Sequence, residues 1–359
     1  MRTLFMALSA ALLLLALERR WRRRRKHPSY SFKLQDVTLW RSHLAEEGFV
    51  VLRGVLSPQE CEKAVSLIWD WLEGLGSGLK RADLASWTKD AWPGHQRFGF
   101  FTTHGGGQSE GAWYVRSRPA VVRAFAGVWG TNALITSLDV PIAWRPWWLD
   151  SSWTPTVERL HVDQNPFFKP GFHCVQGMVP LLGQDAHTGG LQVVPRTHTD
   201  AVQEYLRDKY PDLANDSDDW CELQLGDHYL RKGVLLNAER GDLILWDSRL
   251  IHGGLVGQGP PVIMRYLQRL LHLCGASVAS YSSGGGGLAR LSCTVCMTER
   301  ARASADVVRQ RHEATMHGSA LTHWPHQSTP HTLGDTGGAR IGTKFTPPPL
   351  TPEQLALIG

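Results

Sequence analysis

The chain has 359 residues, 42% hydrophobic and 20% charged, which is enough to bury one large core. Its formal net charge is +5, but seven basic residues lie together as Arg19, Arg20, Arg22, Arg23, Arg24, Arg25 and Lys26, and without that run the charge becomes −2. The basicity is therefore local, which excludes a nucleic-acid-binding face on the rest of the chain, and six cysteines at this length set out no disulfide framework.

The first feature in chain order is the apolar run Thr3 to Leu17, directly followed by the basic cluster. Fifteen helical residues reach about 22 Å against a hydrocarbon core of about 30 Å, so a span is marginal. With its charge after the apolar run rather than before it, residues 3–26 are expected to form a short membrane anchor with the domain that follows facing the cytosol. A targeting presequence or an uncleaved extension is the alternative. Residues 1–30 are set apart on this ground, 34–330 as the folded domain, and 331–359 as a Pro-rich tail.

Phe49-Val50-Val51-Leu52 reads as a strand. Ser57-Pro58-Gln59-Glu60 then reads as a helix N-cap with Pro at the first position and Glu three on. Val65, Ile68, Trp69 and Leu72 give that helix an apolar stripe, and Pro119 to Trp129 predicts a second helix. Trp144, Trp147, Trp148 and Trp153 form either core packing or an aromatic wall for a substrate.

His161-Val162-Asp163 follows. On a strand, residues i and i+2 leave the same face, so both side chains can reach one ion. His252, at the end of the apolar strand Leu243 to Trp246, offers a second imidazole. Two imidazoles and a carboxylate are the set that holds Fe(II) on one face and leaves the other open. Taken alone, the pair in a chain with 16 histidines also suits surface or hydrogen-bonded core roles. Gln176 stands on the next strand, to line a cavity or to make an interior hydrogen bond. Residues 199–232, rich in Asp, read as a loop-like excursion and a lid.

Short strands punctuated by Gly and Pro, such as Gly189 to Pro195, predict a mainly β fold with flanking helices, a double-stranded β-helix or jelly roll of the cupin kind, with the metal in its mouth. Residues 257–287 read as an insertion. Within it Ile263, Tyr266, Leu267, Leu270 and Leu271 repeat at helical spacing, leaving Arg265 on the other side. Arg290 opens a strand to Thr298 with period-two alternation. Cys293 and Cys296 lie on that strand three apart, facing opposite ways, which opposes a zinc or redox pair. His312, His317, His323, His326 and His331 lack regular spacing and read as surface and loop. Residues 306–313 predict a helix, and 346–352 a Pro-rich strap.

Four stretches in order, Gly48 to Ser57, His161 to Asn165, Gly189 to His198 and Gly241 to Ser248, resemble the phytanoyl-CoA dioxygenase family, and the resemblance covers most of residues 36 to 330. It implies a dioxygenase dependent on Fe(II) and on 2-oxoglutarate as co-substrate. His161, Asp163 and His252 are carried over as iron ligands. The implied reaction is hydroxylation of a small organic substrate by O2, with release of succinate and CO2. It further implies an Arg that pairs with the far carboxylate of 2-oxoglutarate, because a planar guanidinium binds a carboxylate bidentately. Arg290 is favoured for this role by its strand pattern, with Arg265 the runner-up by its distance from His252. If neither reaches the metal, a jelly-roll binding module without turnover follows instead. A membrane-anchored interaction protein is a third reading, resting on the amino-terminal segment alone. Substrate and oligomeric state are not legible in these residues.

Overall fold

A computed structural model describes residues 28–95, 98–216, 218–263, 265–266, 287–331 and 345–359. The expected anchor at residues 3–26 and most of the expected insertion at 257–287 lie outside them. Among the described residues, no helix is long and apolar enough to cross a membrane.

Among the described residues, twelve strands form two sheets. The larger runs β1 (Ser31–Lys33), β2 (Phe49–Arg53), β10 (Leu243–Asp247), β6 (Val175–Pro180), β12 (Arg290–Glu299) and β3 (Leu134–Thr136), with β4 (Pro141–Trp144) also on β12. The smaller runs β8 (Cys221–Glu222), β5 (His161–Val162), β11 (His252–Val256), β7 (Gly189–Val193) and β9 (Val234–Leu235). All pairings are antiparallel except β1 with β2.

Strand periodicity decides what each face meets. On β2, Val50 and Leu52 join one buried cluster while Phe49 and Val51 join another, and on β10 Leu243 and Leu245 separate in the same way from Ile244 and Trp246. The first cluster lies under the helices α1 (Val37–Glu47), α2 (Pro58–Gly74), α3 (Glu110–Arg116) and α4 (Pro119–Trp129). The second fills the space between the sheets. On β12 this rule sends Leu291, Cys293, Val295 and Met297 toward the helices. Arg290, Thr294 and Cys296 alternate with them and line the cavity between the sheets.

The predicted cap of α2 is present. Ser57 Oγ accepts from the Glu60 amide at 3.2 Å and the Glu60 carboxylate accepts from the Ser57 amide at 2.8 Å, with Pro58 at the first helical position. Its stripe of Val65, Ile68, Trp69 and Leu72 is buried against the sheet. Two glycines of the quoted motifs are required by geometry. Gly189 has φ +72°, and a Cβ there would lie 2.0 Å from the Leu255 carbonyl oxygen. Gly241 has φ +84°, with its Cβ position 2.3 Å from the carbonyl oxygen of Leu56.

Segment 199–232 is more ordered than a loop-like excursion. It holds α5 (Asp200–Lys209), a short 3-10 turn at Pro211–Asn215 and the edge strand β8. Leu206 and Tyr210 are buried against Leu160, Val162 and Ile251 behind the metal strand, so one apolar stripe drives this helix despite its acidic composition. After β12 comes α6 (Ala305–His317), which contains the predicted 306–313. A short helix α7 (Pro352–Ala356) follows, and Leu357 and Ile358 beyond it are buried in the helix-side core.

Candidate metal centre and cavity

β5 and β11 are neighbours in the smaller sheet, and His161 pairs directly with His252. Cross-strand partners on one face are close, and these two rings lie 4.5 Å apart between centroids. Asp163 follows one residue beyond β5 and is fixed by its amide, which donates to the Ser248 carbonyl in the β10–β11 turn at 3.1 Å. His161 Nε2 lies 3.6 Å from one Asp163 oxygen and His252 Nε2 3.2 Å from the other. Ligand atoms of the three side chains fall within 4.8 Å of one another, as one metal ion requires.

The protonation pattern suits a metal. His161 Nδ1 lies 2.7 Å from the Arg159 carbonyl and His252 Nδ1 2.8 Å from that of Leu250. A carbonyl can only accept, so each Nδ1 carries a proton, and each Nε2 is left facing Asp163 as the atom available to a metal. Burial, then the neighbouring His161, pushes His252 below its ordinary value, in the direction of the neutral form. Burial alone would raise the Asp163 carboxyl, but His161, His252 and His323 outweigh it and hold that group well below the usual range. An anionic carboxylate and neutral imidazole are the forms that ligate a cation. The donor set, its orientation and its charge therefore fit Fe(II).

Supporting residues come from beyond the three. Gln176 Nε2 donates to Asp163 Oδ2 at 2.9 Å, so this residue both lines the cavity and makes the interior hydrogen bond. Gln164 accepts from the Ser248 hydroxyl at 2.6 Å and donates to the carbonyls of Lys169 and Gly171, tying the β10–β11 turn to the loop after Asp163. Asn165 reaches the carbonyls of Leu213, Asp216 and Asp218, which pins the acidic loop beside the site. Gln164 and Asn165 were legible only as letters of a motif.

The triad opens into a cavity of about 850 Å³ between the sheets, lined also by Arg290. Arg290 is 5% exposed, lies with its guanidinium carbon 4.4 Å from the centre of the Trp144 ring, and touches Met178 Sδ at 3.3 Å. Its Nε has no hydrogen-bond partner, no carboxylate pairs with it among the described residues, and burial pushes it down to about 10. Arg265 is elsewhere. Its guanidinium donates to the carbonyls of Pro260, at 2.7 Å, and Gln258, and it does not line the cavity.

Of the tryptophans before β5, Trp144 lines the cavity, whereas Trp147 and Trp148 pack on its flank and Trp153 packs against Trp87. Trp220, Trp246 and Trp324 add to the aromatic lining, with Phe98 and Phe100. Reading the later histidines as surface and loop holds for His312 and His317, which are exposed, and fails for His323 and His331, which line the cavity. The segment after α6 folds back over the site, where His323 Nε2 meets the Asp163 carbonyl at 3.1 Å. Irregular spacing hid this, because the strap is neither helix nor strand. Cys293 and Cys296 do face opposite ways. Cys296 instead meets Cys174, sulfur to sulfur, at 3.3 Å.

Comparison with known proteins agrees with this architecture. "Ava biosynthesis cluster protein O" of Aspergillus versicolor is 28% identical over 237 residues, 62% of this chain and 74% of that protein. Among solved structures, an oxidoreductase, provisionally so named, of Salmonella typhimurium LT2 is 14% identical with a TM-score of 0.50, covering 100% of this chain and 93% of its own. The epimerase SnoN, solved with Fe3+, alpha-ketoglutarate and nogalamycin RO, is 12% identical with a TM-score of 0.42, covering 74% of this chain and 84% of its own. The family model described as phytanoyl-CoA dioxygenase matches residues 44–256, more than half of the chain. The chain therefore belongs to the phytanoyl-CoA dioxygenase family and is a dioxygenase that works with iron and 2-oxoglutarate.

Proposed function

We propose that His161, Asp163 and His252 hold Fe(II), that Arg290 binds the far carboxylate of 2-oxoglutarate, and that the enzyme hydroxylates a small organic substrate with release of succinate and CO2. The observation that carries this reading is Arg290, a buried guanidinium without a carboxylate in the cavity that holds the triad. An uncompensated buried charge is costly, and a ligand carboxylate removes that cost. Bound Fe(II) with 2-oxoglutarate supplies the activation of O2. The chain supplies position: Trp144 holds the guanidinium plane, Gln176 holds Asp163, and the Thr322–His331 strap keeps bulk water from the triad. A binding module without turnover draws its motive from an Arg too far from the metal, and the position of Arg290 weighs against it.

The test is anaerobic addition of Fe(II) and 2-oxoglutarate, expected to give a weak visible charge-transfer band, followed by air, expected to give succinate. Arg290→Ala should lose the band at 2-oxoglutarate concentrations that saturate the parent, while Arg265→Ala keeps it. Absence of both band and succinate from folded, iron-loaded parent protein rejects the reading.

A further inference from the structure

Charge is distributed unevenly around the cavity. Leaving aside the triad and Arg290, its lining carries Asp139, Glu158, Asp216, Asp218 and Asp219 against a single ammonium, Lys169, among the described residues. Lys169 is already paired, with Asp219. Glu158 enters on the segment leading into β5, and neither a cation nor a hydrogen-bond donor meets its carboxyl among the described residues. Its electrostatic surroundings are His161, Asp163, His331 and Glu222, and burial pushes it above the usual carboxylate range. The cavity thus contains a buried cation lacking an anion, Arg290, and a carboxyl lacking a cation, Glu158.

A second observation shows what this wall accommodates. The Lys169 ammonium lies 3.9 Å from the centre of the Trp324 ring, beside the Asp219 carboxylate and 3.4 Å from Gln327 Oε1. The chain therefore sets an ammonium of its own against the aromatic and acidic side of the cavity, the arrangement by which ring faces and carboxylates recognise organic cations. Further ring faces, Trp220, Phe98 and Phe100, line the same space.

We propose that the substrate end of this cavity takes a small organic cation, a protonated amine on a compact apolar body, with the amine paired to Glu158 beneath the rim carboxylates of Asp216, Asp218 and Asp219. The lining disfavours acyl-CoA thioesters, because their several phosphate charges would face these carboxylates and, Arg290 at the co-substrate end apart, no unpaired lysine or arginine lines the cavity among the described residues. At about 850 Å³ the cavity suits a compact ligand together with 2-oxoglutarate. The inference rests on the oxygenase reading, which assigns the Arg290 end to the co-substrate.

Full-length protein loaded anaerobically with Fe(II) and saturating 2-oxoglutarate is titrated with phenethylamine, with hydrocinnamate, which replaces the ammonium by a carboxylate on a similar body, and with octanoyl-CoA. Binding is read as quenching of tryptophan fluorescence. Phenethylamine should bind at least about 10-fold more tightly than hydrocinnamate, with no saturable quenching by octanoyl-CoA. Glu158→Gln should remove most of that preference while the visible band persists. Equal or tighter binding of hydrocinnamate or octanoyl-CoA in band-positive protein overturns the inference. So does no binding of phenethylamine, or a preference unchanged in Glu158→Gln. Loss of the band in the parent protein is a separate outcome and strikes the oxygenase reading itself.

Discussion

Gln176 reaches Asp163 from the opposite sheet, and its amide is the hydrogen-bond donor that holds one carboxylate oxygen in place. Groups that orient metal ligands without touching the ion commonly govern affinity by 10- to 100-fold. Gln176→Leu should therefore weaken Fe(II) binding by about that factor with little change in fold, measured by competition with a chromophoric chelator alongside far-UV circular dichroism. Unchanged affinity would show that Asp163 is positioned by its backbone alone, through the bond to Ser248. The triad and Arg290 were legible at this scale because strand alternation is a local rule, and His161, Asp163 and Arg290 obey it. Gln176 was legible as a cavity residue but not as a donor to Asp163, since that bond depends on how two sheets face each other. Glu158 left no signal at all, because it precedes the strand in an irregular segment where no period fixes a side chain's direction.

At the scale of elements, the corner between β2 and β10 depends on Asp242. Its two oxygens accept from the amides of Gly54 and Glu239, both at 2.8 Å. Burial pushes this carboxyl up to about 6, above its ordinary value near 4. A raised carboxyl stabilises the fold fully below that ordinary value and loses this contribution as pH rises through about 6. Asp242→Asn cannot titrate, so the stability gap between parent and variant should narrow by up to about 3 kcal/mol from pH 4 to pH 7, measured by urea denaturation at each pH. A gap independent of pH would remove the titration of Asp242 from the account. The capped helix α2 and the strands β2, β10 and β12 were readable from caps and periods. Helix α5 was not, because its apolar stripe is short and interrupted by acidic residues that composition reads as loop.

For the whole molecule, the site joins pieces that composition cannot bring together: the β5 segment, the β10–β11 turn, β12 and the strap after α6. Sequence reading located the first two because each resembles a known word and β12 by its period-two alternation, and it missed the segment after α6, whose role comes only from where it lands. Binding at such a junction should be felt globally. Ni(II) at about 100 times its dissociation constant stabilises by about 2.7 kcal/mol, which for a chain of this size is a rise of about 4 °C in the thermal midpoint. Differential scanning fluorimetry measures it, and a chelator should reverse it. A midpoint indifferent to both would mean that the metal is held too weakly to matter for folding.

The pairing of His161 with His252 across two strands carries a consequence for biosynthesis. While the ribosome is still adding residues before β11, the nascent polypeptide owns one imidazole and one carboxylate, too few donors to retain a ferrous ion. Arg290 and the strap emerge later still. Iron capture by this triad, and the oxygen chemistry that accompanies it, is thereby deferred until β11 has been made, so a copy halted before that strand does not become an oxidant toward its own chain.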